Sequence, residues 1–337
     1  MAEIGIIGAG SWGTAIAWLL TNNGHHVTMW SAIGSEIDML STEREHKDKL
    51  PGVKLQDSMS FTKDLKEAIE GKDLLVLAVP SIFTRNTAKQ MKEFVKDGQK
   101  IVNVAKGIEE NTLMTLSQII EEEIPQAIVT VMSGPSHAEE VGKGMPTTIV
   151  VGAKKKADAE YVQEIFNSNV FRVYTSPDVL GIELGAALKN VVALAAGMAD
   201  GMGYGDNTKA ALITRGNAEI TRLGLAMGGR SETFAGLSGI GDLIVTCASV
   251  HSRNRKAGFL MGQGKTPDEA MAEVKMVVEG VYSAKAAIAL SKKYNVEMPI
   301  VNQVEKILFE GRDTRDAMME LMLRNKKNEY STLPWEE

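Results

Sequence analysis

The fold of this chain is decided by the stretch Ile4-Gly-Ile-Ile-Gly8-Ala-Gly10-Ser-Trp-Gly13-Thr14-Ala-Ile-Ala-Trp-Leu-Leu20. Its apolar run from Ile4 to Ile7 predicts a buried strand, and the apolar-periodic segment from Thr14 to Leu20 predicts a helix. Between them, Gly8 permits a tight turn, Gly10 lets a pyrophosphate approach the backbone, and Gly13 lets the helix pack closely on the strand. The N–H groups at the helix N-terminus favour a bound phosphate. The stretch therefore predicts a turn that binds a dinucleotide.

Length and composition indicate a globular enzyme with two domains. The chain has 337 residues, more than a single hydrophobic core usually holds. Hydrophobic residues make up 44% and charged residues 24%, which is ordinary for a soluble protein. The formal net charge of −6 gives no reason to expect nucleic acid or an anionic membrane surface as a partner.

Cysteine content, histidine spacing and the N-terminus narrow the class further. Cys247 is the single cysteine, which excludes an intrachain disulfide and is consistent with a reducing cytoplasm. The histidines lack metal-ligand spacing, so no metal is expected. A strand begins directly after Glu3, so no signal peptide is expected. The apolar stretch from Val191 to Ala199 is too short to span a bilayer. We therefore expect a cytoplasmic protein that is not inserted in a membrane.

Apolar runs separated by helical segments extend along the first half of the chain. This alternation indicates α/β architecture, with a Rossmann-type doubly wound parallel sheet covered by helices on both faces. Polar and glycine-rich residues follow each run, at the strand ends where ligands bind in open α/β sheets. The strands predicted after the first are His26–Trp30, Asp73–Val79, Lys100–Val104, Ile128–Met132, Thr147–Gly152 and Val170–Tyr174.

The pattern changes around Ser176-Pro177-Asp178. From Val179 onward almost nothing indicates a strand, and alanine, leucine, methionine and glycine dominate long helical segments. We therefore predict a dinucleotide-binding domain over 1–178 and an all-helical substrate-binding and catalytic domain over 179–337.

The end of the second predicted strand leaves the choice between NAD and NADP open. In a dinucleotide-binding fold, an acidic residue there holds the ribose 2′-OH of NAD, whereas a basic residue accommodates the 2′-phosphate of NADP. Here the strand is followed by Ser31-Ala32-Ile33-Gly34, which has neither an acidic nor a basic side chain. Glu36 could reach the ribose, but the favoured interpretation is an exposed glutamate at the start of a helix.

Lys189 is the strongest catalytic candidate in the second half. It lies in a helical segment, Leu180 to Ala196, that is apolar on nearly all sides, where a lysine charge is costly to bury. A desolvated lysine has a lowered pKa and exchanges a proton near neutrality, which suits general acid–base work at an alcohol or carbonyl carbon. The alternative is a lysine that extends to the surface. This helix alone leaves both interpretations open.

Two later segments favour the catalytic interpretation. Asp242 and Thr246 lie one helical turn apart, directly after a pair of glycines. The cluster Ser252-Arg253-Asn254-Arg255 is rich in donors, and the fork of an arginine matches phosphate. A charged run is usually a solvated face. However, the same chain also has a predicted dinucleotide fold and a lysine within an apolar helix. With these features together, a site for a phosphorylated substrate is the better interpretation of the cluster.

Taken together, these motifs resemble the bacterial NAD(P)-dependent glycerol-3-phosphate dehydrogenase family along essentially the whole chain. The resemblance implies hydride transfer that interconverts sn-glycerol 3-phosphate and dihydroxyacetone phosphate, supplying glycerol 3-phosphate for phospholipid synthesis. It is also compatible with a homodimer. The motifs that carry it are Gly8–Ala15, Val76–Ser81, Ala105–Ile108, Ser133–Ala138, Glu183–Asn190, Gly239–Leu243, Ser252–Arg255 and Val278–Gly280.

The resemblance also implies roles for individual residues, with Lys189 as the proton acceptor in alcohol oxidation. The substrate-binding residues that it implies are Lys106, Gly134, Ser136, Lys189, Asn190, Asp242, Thr246, Ser252, Arg253 and Asn254. The cofactor-binding residues that it implies are Gly8, Gly10, Ser11, Trp12, Gly13, Lys106, Ala138, Arg253, Val277 and Glu279. Many family members carry a basic residue where this chain has Ala32 or Ile33, so the choice between NADP and NAD stays open.

Two other functions remain compatible with these residues. A related 3-hydroxyacid dehydrogenase has the same plan, and its carboxylate substrate would also suit Arg253. A non-catalytic dinucleotide sensor would not need Lys189, Asp242 and Arg253 in one cleft.

Overall fold

The computed structural model describes residues 1–326, 328–329 and 336, so the end of the predicted second domain lies partly outside the described residues. Within the described residues, eight strands form a single sheet. They are β1 (Glu3–Ile7), β2 (His26–Trp30), β3 (Ser60–Thr62), β4 (Leu74–Leu77), β5 (Lys100–Asn103), β6 (Ile128–Ser133), β7 (Thr147–Gly152) and β8 (Phe171–Ser176). All seven predicted strands are present, whereas the edge strand β3 was not predicted because three residues show no clear alternation.

The strand order is β3-β2-β1-β4-β5-β6-β7-β8, and its first six positions have the order of a Rossmann sheet. The prediction of a parallel sheet is wrong at one pair, because β6 and β7 are antiparallel. The connection between them contains only the four-residue helix α6 (Ala138–Val141), which is too short to return the chain over the sheet face. The sheet is therefore mixed, with β7 and β8 parallel to each other.

Helices surround the sheet and make up all the regular structure described after β8, which confirms the predicted all-helical C-terminal region. Besides α6, the helices of the described residues are α1 (Ser11–Asn22), α2 (Gly34–Glu43), α3 (Leu65–Ile69), α4 (Thr84–Met91), α5 (Leu116–Glu123), α7 (Lys156–Phe166), α8 (Val179–Gly201), α9 (Asp206–Ala226), α10 (Ser231–Phe234), α11 (Asp242–Ala248), α12 (Arg253–Gly262), α13 (Pro267–Val274), α14 (Glu279–Tyr294), α15 (Pro299–Phe309) and α16 (Thr314–Met322). A 3₁₀ turn spans Ser81–Phe83, and a π turn spans Leu237–Gly241.

The central strands are apolar throughout because both faces of the sheet are buried. On β4, Val76 packs into the core on one face, and its neighbours Leu75 and Leu77 pack into the core on the other. Successive side chains point to opposite faces of a strand, so a strand covered on both sides needs a continuous apolar run.

The long helix α8 forms the centre of the helical region. It is apolar enough to cross a membrane, and it extends well beyond the stretch that was expected to be too short. However, 83% of its most apolar window is buried inside the protein, as in the core helix of a globular protein. The helical region therefore has its own hydrophobic core.

Glycines bring α8 and α12 almost into backbone contact. A Cβ atom on Gly197 of α8 would lie 2.0 Å from the carbonyl oxygen of Arg255, and one on Gly258 of α12 would lie 2.1 Å from that of Leu194. Real Cβ atoms do not approach so closely, so only glycine fits at either position. This contact sets the separation between Lys189 on α8 and the N-terminus of α12.

Buried carboxylates join the sheet region to the helical region. Asp178 accepts hydrogen bonds from the backbone N–H groups of Gly181 and Arg230, each at 2.9 Å. Glu183 on α8 accepts from the N–H and hydroxyl of Ser117 in the first turn of α5, at 2.9 and 2.5 Å. These bonds anchor α8, and therefore Lys189, against the end of the sheet.

Candidate active site

The glycine turn after β1 has the shape that phosphate binding requires. Gly8 has a φ of +119°, and the N–H of Gly8 donates to Trp30 O at the end of β2 (2.9 Å). A Cβ on Gly13 would lie 2.1 Å from Gly8 O, whereas one on Gly10 would meet nothing within 4 Å. No side chain caps the N-terminus of α1. The turn therefore offers open space and backbone N–H groups to an anion, and it fits a dinucleotide.

Lys189 points toward Asp242, not toward the surface. Its ammonium donates hydrogen bonds to Asp242 Oδ1 and to Thr246 Oγ1, the latter at 2.7 Å. The Lys189 side chain is only 5% exposed, which decides against the alternative of a lysine that extends into solvent. Asp242 is the first residue of α11, where the positive end of the helix dipole favours a carboxylate.

A second lysine completes this cluster from the sheet side. Lys106, which follows β5, donates to Asp242 Oδ2 at 2.7 Å and to the carbonyl oxygen of Gly134 at 3.2 Å. The hydroxyl of Ser136 also donates to Gly134 O (2.9 Å). The structure therefore brings together six predicted substrate-binding residues at the meeting point of the two regions, namely Lys106, Gly134, Ser136, Lys189, Asp242 and Thr246.

Burial and charge shift the pKa values of the central pair in useful directions. Burial lowers the pKa of Lys189 to about 7, because desolvation of the ammonium outweighs the attraction of Asp242. Burial alone would raise the pKa of the Asp242 carboxyl, but the ammonium groups of Lys106 and Lys189 outweigh that effect and lower it. Asp242 is therefore an anion at neutral pH, while Lys189 can gain or lose a proton there.

Two asparagines connect Lys189's helix to α12 and α14. Asn254 Nδ2 donates to Asn190 Oδ1 at 2.9 Å, and Asn254 Oδ1 accepts from the backbone N–H of Gly280 at 2.8 Å. Ser252 caps α12 by accepting from the N–H of Arg255 (3.2 Å). These predicted residues have well-defined partners, and they fix the N-terminus of α12 beside α8.

Arg253 differs from its neighbours because its side chain is exposed and its guanidinium donates no hydrogen bond to the described residues. Glu279 and Glu139 attract it only from a distance. The next arginine, Arg255, is paired with Asp200 at 2.6 Å and is not free to bind a ligand. Arg253 is thus the cation of this cluster that remains open to an anion.

Glu279 bridges the sheet region and the helical region at another point. Its carboxylate accepts from the backbone N–H of Ser81 at 3.1 Å and from the Ser81 hydroxyl. Ser81 follows β4, so this bridge lies beside the ends of the central strands. The other predicted cofactor residues lie at the starts of helices: Ser11 and Trp12 begin α1, Ala138 begins α6, and Val277 precedes α14.

Some residues at the site were missed or misjudged from the sequence. Ser133 donates to Asp242 Oδ2 at 3.4 Å, and its position directly before Gly134 was the only available signal. Glu36 was expected to be exposed, but it is buried at 8% exposure because its carboxylate turns back toward Ser31. The long-range partners of Glu36 explain this error, since sequence spacing does not show them.

A dinucleotide-type turn in a Rossmann sheet, joined to a helical region that carries a buried lysine–aspartate pair, is typical of a nicotinamide-dependent dehydrogenase. Comparison with known families agrees. A model for the N-terminus of NAD-dependent glycerol-3-phosphate dehydrogenase matches residues 3–159, and a model for its C-terminus matches residues 178–319. The chain therefore belongs to the NAD-dependent glycerol-3-phosphate dehydrogenase family.

Individual relatives extend the similarity over the full length. The glycerol-3-phosphate dehydrogenase (NAD(P)+) of Agathobacter rectalis is 65% identical, covering 99% of this chain and 100% of the relative. The corresponding protein of Bacillus subtilis is 49% identical, with 99% and 97% covered. The crystal structure of glycerol-3-phosphate dehydrogenase from Coxiella burnetii superposes with a TM-score of 0.93 at 35% identity, covering 96% of this chain and 99% of that one.

Proposed function

We propose that this chain interconverts sn-glycerol 3-phosphate and dihydroxyacetone phosphate, with Lys189 as the catalytic acid and base. It is an NAD(P)-dependent oxidoreductase that acts on a CH–OH group. The observation that carries the proposal is the buried contact of Lys189 with Asp242, in a chain that also holds a dinucleotide-type turn and an exposed arginine at the start of α12. The physiological role that we assign is supply of glycerol 3-phosphate for phospholipid synthesis.

Lys189 moves the proton of the substrate oxygen. In oxidation, its neutral amine removes the proton from the C2 hydroxyl, and in reduction, its ammonium returns a proton to the carbonyl oxygen. A pKa of about 7 supports both directions, because the two protonation states coexist at neutral pH. Thr246 fixes the orientation of the Lys189 side chain through its bond of 2.7 Å.

Asp242 and Lys106 supply the electrostatic surroundings of that step. Asp242 holds both ammonium groups and raises the pKa of Lys189 above the value that burial alone would produce. Lys106 adds a positive charge beside Gly134, which favours negative charge that develops on the substrate oxygen.

The phosphate of the substrate is assigned to the N-terminus of α12. Arg253 is the open cation there, and Ser252 and Asn254 begin the same helix, whose N–H groups favour an anion. Gly134, whose carbonyl oxygen accepts from Lys106 and Ser136, would enclose the three-carbon chain together with Ser136 and Asn190. A 3-hydroxyacid would need the same arginine for a carboxylate, so substrate preference distinguishes these functions.

The cofactor is assigned to the glycine turn and the neighbouring strand ends. Gly8, Gly10 and Gly13 would hold the pyrophosphate with Ser11 and Trp12, and Lys106, Ala138, Arg253, Val277 and Glu279 would surround the remainder. When bound, the nicotinamide accepts a hydride from C2 of glycerol 3-phosphate or donates one to dihydroxyacetone phosphate. We further propose a domain boundary at 178/179, a homodimer and a cytoplasmic location. Limited proteolysis would test the boundary, light scattering the homodimer, and cell fractionation the location.

A turnover assay tests the proposed function directly. The purified protein is mixed with dihydroxyacetone phosphate and either NADH or NADPH, and nicotinamide absorbance is followed over time. We expect consumption with at least one cofactor and much slower consumption with a 3-oxo acid. A lack of turnover with dihydroxyacetone phosphate and both cofactors would contradict the proposal, and cofactor binding without turnover would support a sensor.

A further inference from the structure

We propose that Glu36 and Lys49 determine the choice between NAD and NADP, with Lys49 contacting a 2′-phosphate and Glu36 opposing it. The proposal rests on the proposed function, because it concerns the cofactor of that reaction. It assigns a specificity-determining role to Lys49, which no motif of this sequence identifies, and to Glu36, for which contact with the ribose was the less favoured interpretation.

The position of Lys49 relative to the dinucleotide turn is the first argument. Ser11, in the turn itself, donates its hydroxyl to the carbonyl oxygen of Lys49 at 2.7 Å. Gly8 in the same turn is hydrogen-bonded to Trp30 at the end of β2, and Ser31 follows directly. In dinucleotide-binding folds the residues just after this strand face the ribose 2′ position. The Lys49 backbone is therefore attached to the turn, while its ammonium is connected through Glu36 to Ser31, at the end where a 2′-phosphate would lie.

The charge of Glu36 is the second argument. Its carboxylate accepts hydrogen bonds from the Ser31 hydroxyl (2.7 Å) and from the Lys49 ammonium, and His46 Nε2 lies 3.8 Å away. Burial alone would raise the pKa of Glu36, but His46, Lys49 and Ser31 outweigh it and lower the pKa to about 2. The carboxylate is therefore charged at neutral pH. A 2′-phosphate would be repelled by it and would compete with it for Lys49.

The accessibility of Lys49 is the third argument. Its side chain is 29% exposed, against 10% for Glu36, so the ammonium can turn toward a ligand while the carboxylate stays in place. Its backbone is held on both sides, because its N–H donates to His46 Nδ1 (3.3 Å) and its carbonyl accepts from Ser11. A partly exposed cation on a fixed backbone suits recognition of an optional phosphate.

Another lysine near the end of β2 provides a matched comparison. Lys63 accepts the Trp30 indole N–H at its carbonyl oxygen, and its ammonium is paired with Asp38 at 2.6 Å. Its side chain is 55% exposed, so this pair is solvated and lacks the buried carboxylate that restrains Lys49. We therefore expect Lys63 to contribute little to the choice of cofactor.

The test compares Glu36→Gln and Lys49→Met with the control variants Lys63→Met and Glu43→Gln. Glu43 is the matched control for Glu36, because it forms a solvated pair with Lys47 at 2.8 Å. Two quantities are measured for each: the affinity ratio of adenosine 2′,5′-bisphosphate to 5′-AMP by calorimetry, and the ratio of kcat/KM for NADPH to that for NADH. Glu36→Gln should raise both ratios about tenfold and Lys49→Met should lower both about tenfold, the effect of one charge-assisted hydrogen bond. The controls should stay within about twofold of the native protein, as surface pairs do.

The proposal is overturned if Lys49→Met leaves both ratios unchanged, or if Lys63→Met lowers them instead. Should Glu36→Gln fail to fold, the more exposed Lys49 variant still decides the outcome. The binding ratio does not depend on turnover. An absence of dihydroxyacetone phosphate reduction would therefore contradict the proposed function, while an unchanged binding ratio would contradict the role of Lys49.

Discussion

The two sides of the cleft hold their functional groups in different ways. On the sheet side, the glycine turn is defined by the backbone of a few neighbouring residues: Gly13 packs against Gly8 with no room for a side chain. On the helical side, Lys189 contacts Asp242 across 53 positions of sequence, and Lys106 contacts the same carboxylate from the sheet side across 136. The difference shows that the cofactor side depends on local steric fit, while the substrate side depends on long-range charge pairing.

The largest effect is expected from truncation on the helical side. Lys189→Ala should reduce turnover about 10³-fold, because it removes the group that exchanges the substrate proton. Cofactor affinity should be largely unchanged, because the glycine turn is built from other elements. The measurements are steady-state rates and cofactor titration, and Lys285→Ala, which removes a solvated pair with Glu110, is the control. Near-normal turnover would remove Lys189 from the catalytic role.

A smaller loss with a change in pH dependence is expected for Asp242→Asn. In the native enzyme, oxidation should slow as pH falls through about 7, because protonated Lys189 cannot accept a proton, and reduction should slow as pH rises through that value. Asp242 raises the pKa of Lys189, so its loss should move both limbs to lower pH and reduce the rate about 10²-fold. Profiles of kcat/KM against pH for the native protein and the variant measure the shift. Profiles that fall at the same pH in both proteins would contradict the effect of Asp242 on the pKa of Lys189.

Arg253→Ala should act selectively on phosphorylated substrate. Loss of one charge-assisted contact should reduce kcat/KM for dihydroxyacetone phosphate about 10- to 100-fold, with much less effect on dihydroxyacetone. Arg255→Ala is the matched control, because that arginine is already paired with Asp200 and should not discriminate between the two compounds. Equal losses for both substrates in the Arg253 variant would place the phosphate elsewhere.

The smallest effects are expected in the glycine turn, where two substitutions distinguish a glycine needed for packing from a glycine needed for cofactor binding. Gly13→Ala places a Cβ 2.1 Å from Gly8 O and should lower the free energy of unfolding by about 1–3 kcal/mol. Gly10→Ala has open space around it and should leave stability nearly unchanged while weakening cofactor binding. Chemical denaturation and cofactor titration measure the two properties. A stability loss at Gly10 equal to that at Gly13 would show that the turn is not built around a ligand.

Local patterns predicted most of the fold and part of the site. The turn and the strands were predictable because tight turns and buried strands impose residue types on neighbouring positions. The antiparallel β6–β7 pair was not, since strand direction depends on how the short connection with α6 packs. The family resemblance assigned Asp242 and Thr246 to the substrate site, but their hydrogen bonds to Lys189 were not predicted. The burial of Glu36 depends on Lys49, thirteen positions later, and could not be seen from the sequence.

The glycine contact between α8 and α12 has a consequence for protein engineering. Because Gly197 and Gly258 leave no space for larger residues, neither helix can slide or rotate to accommodate a changed partner. A chimera that takes α12 from a distant dehydrogenase would have to take α8 with it. The two helices therefore have to be exchanged together in any such chimera.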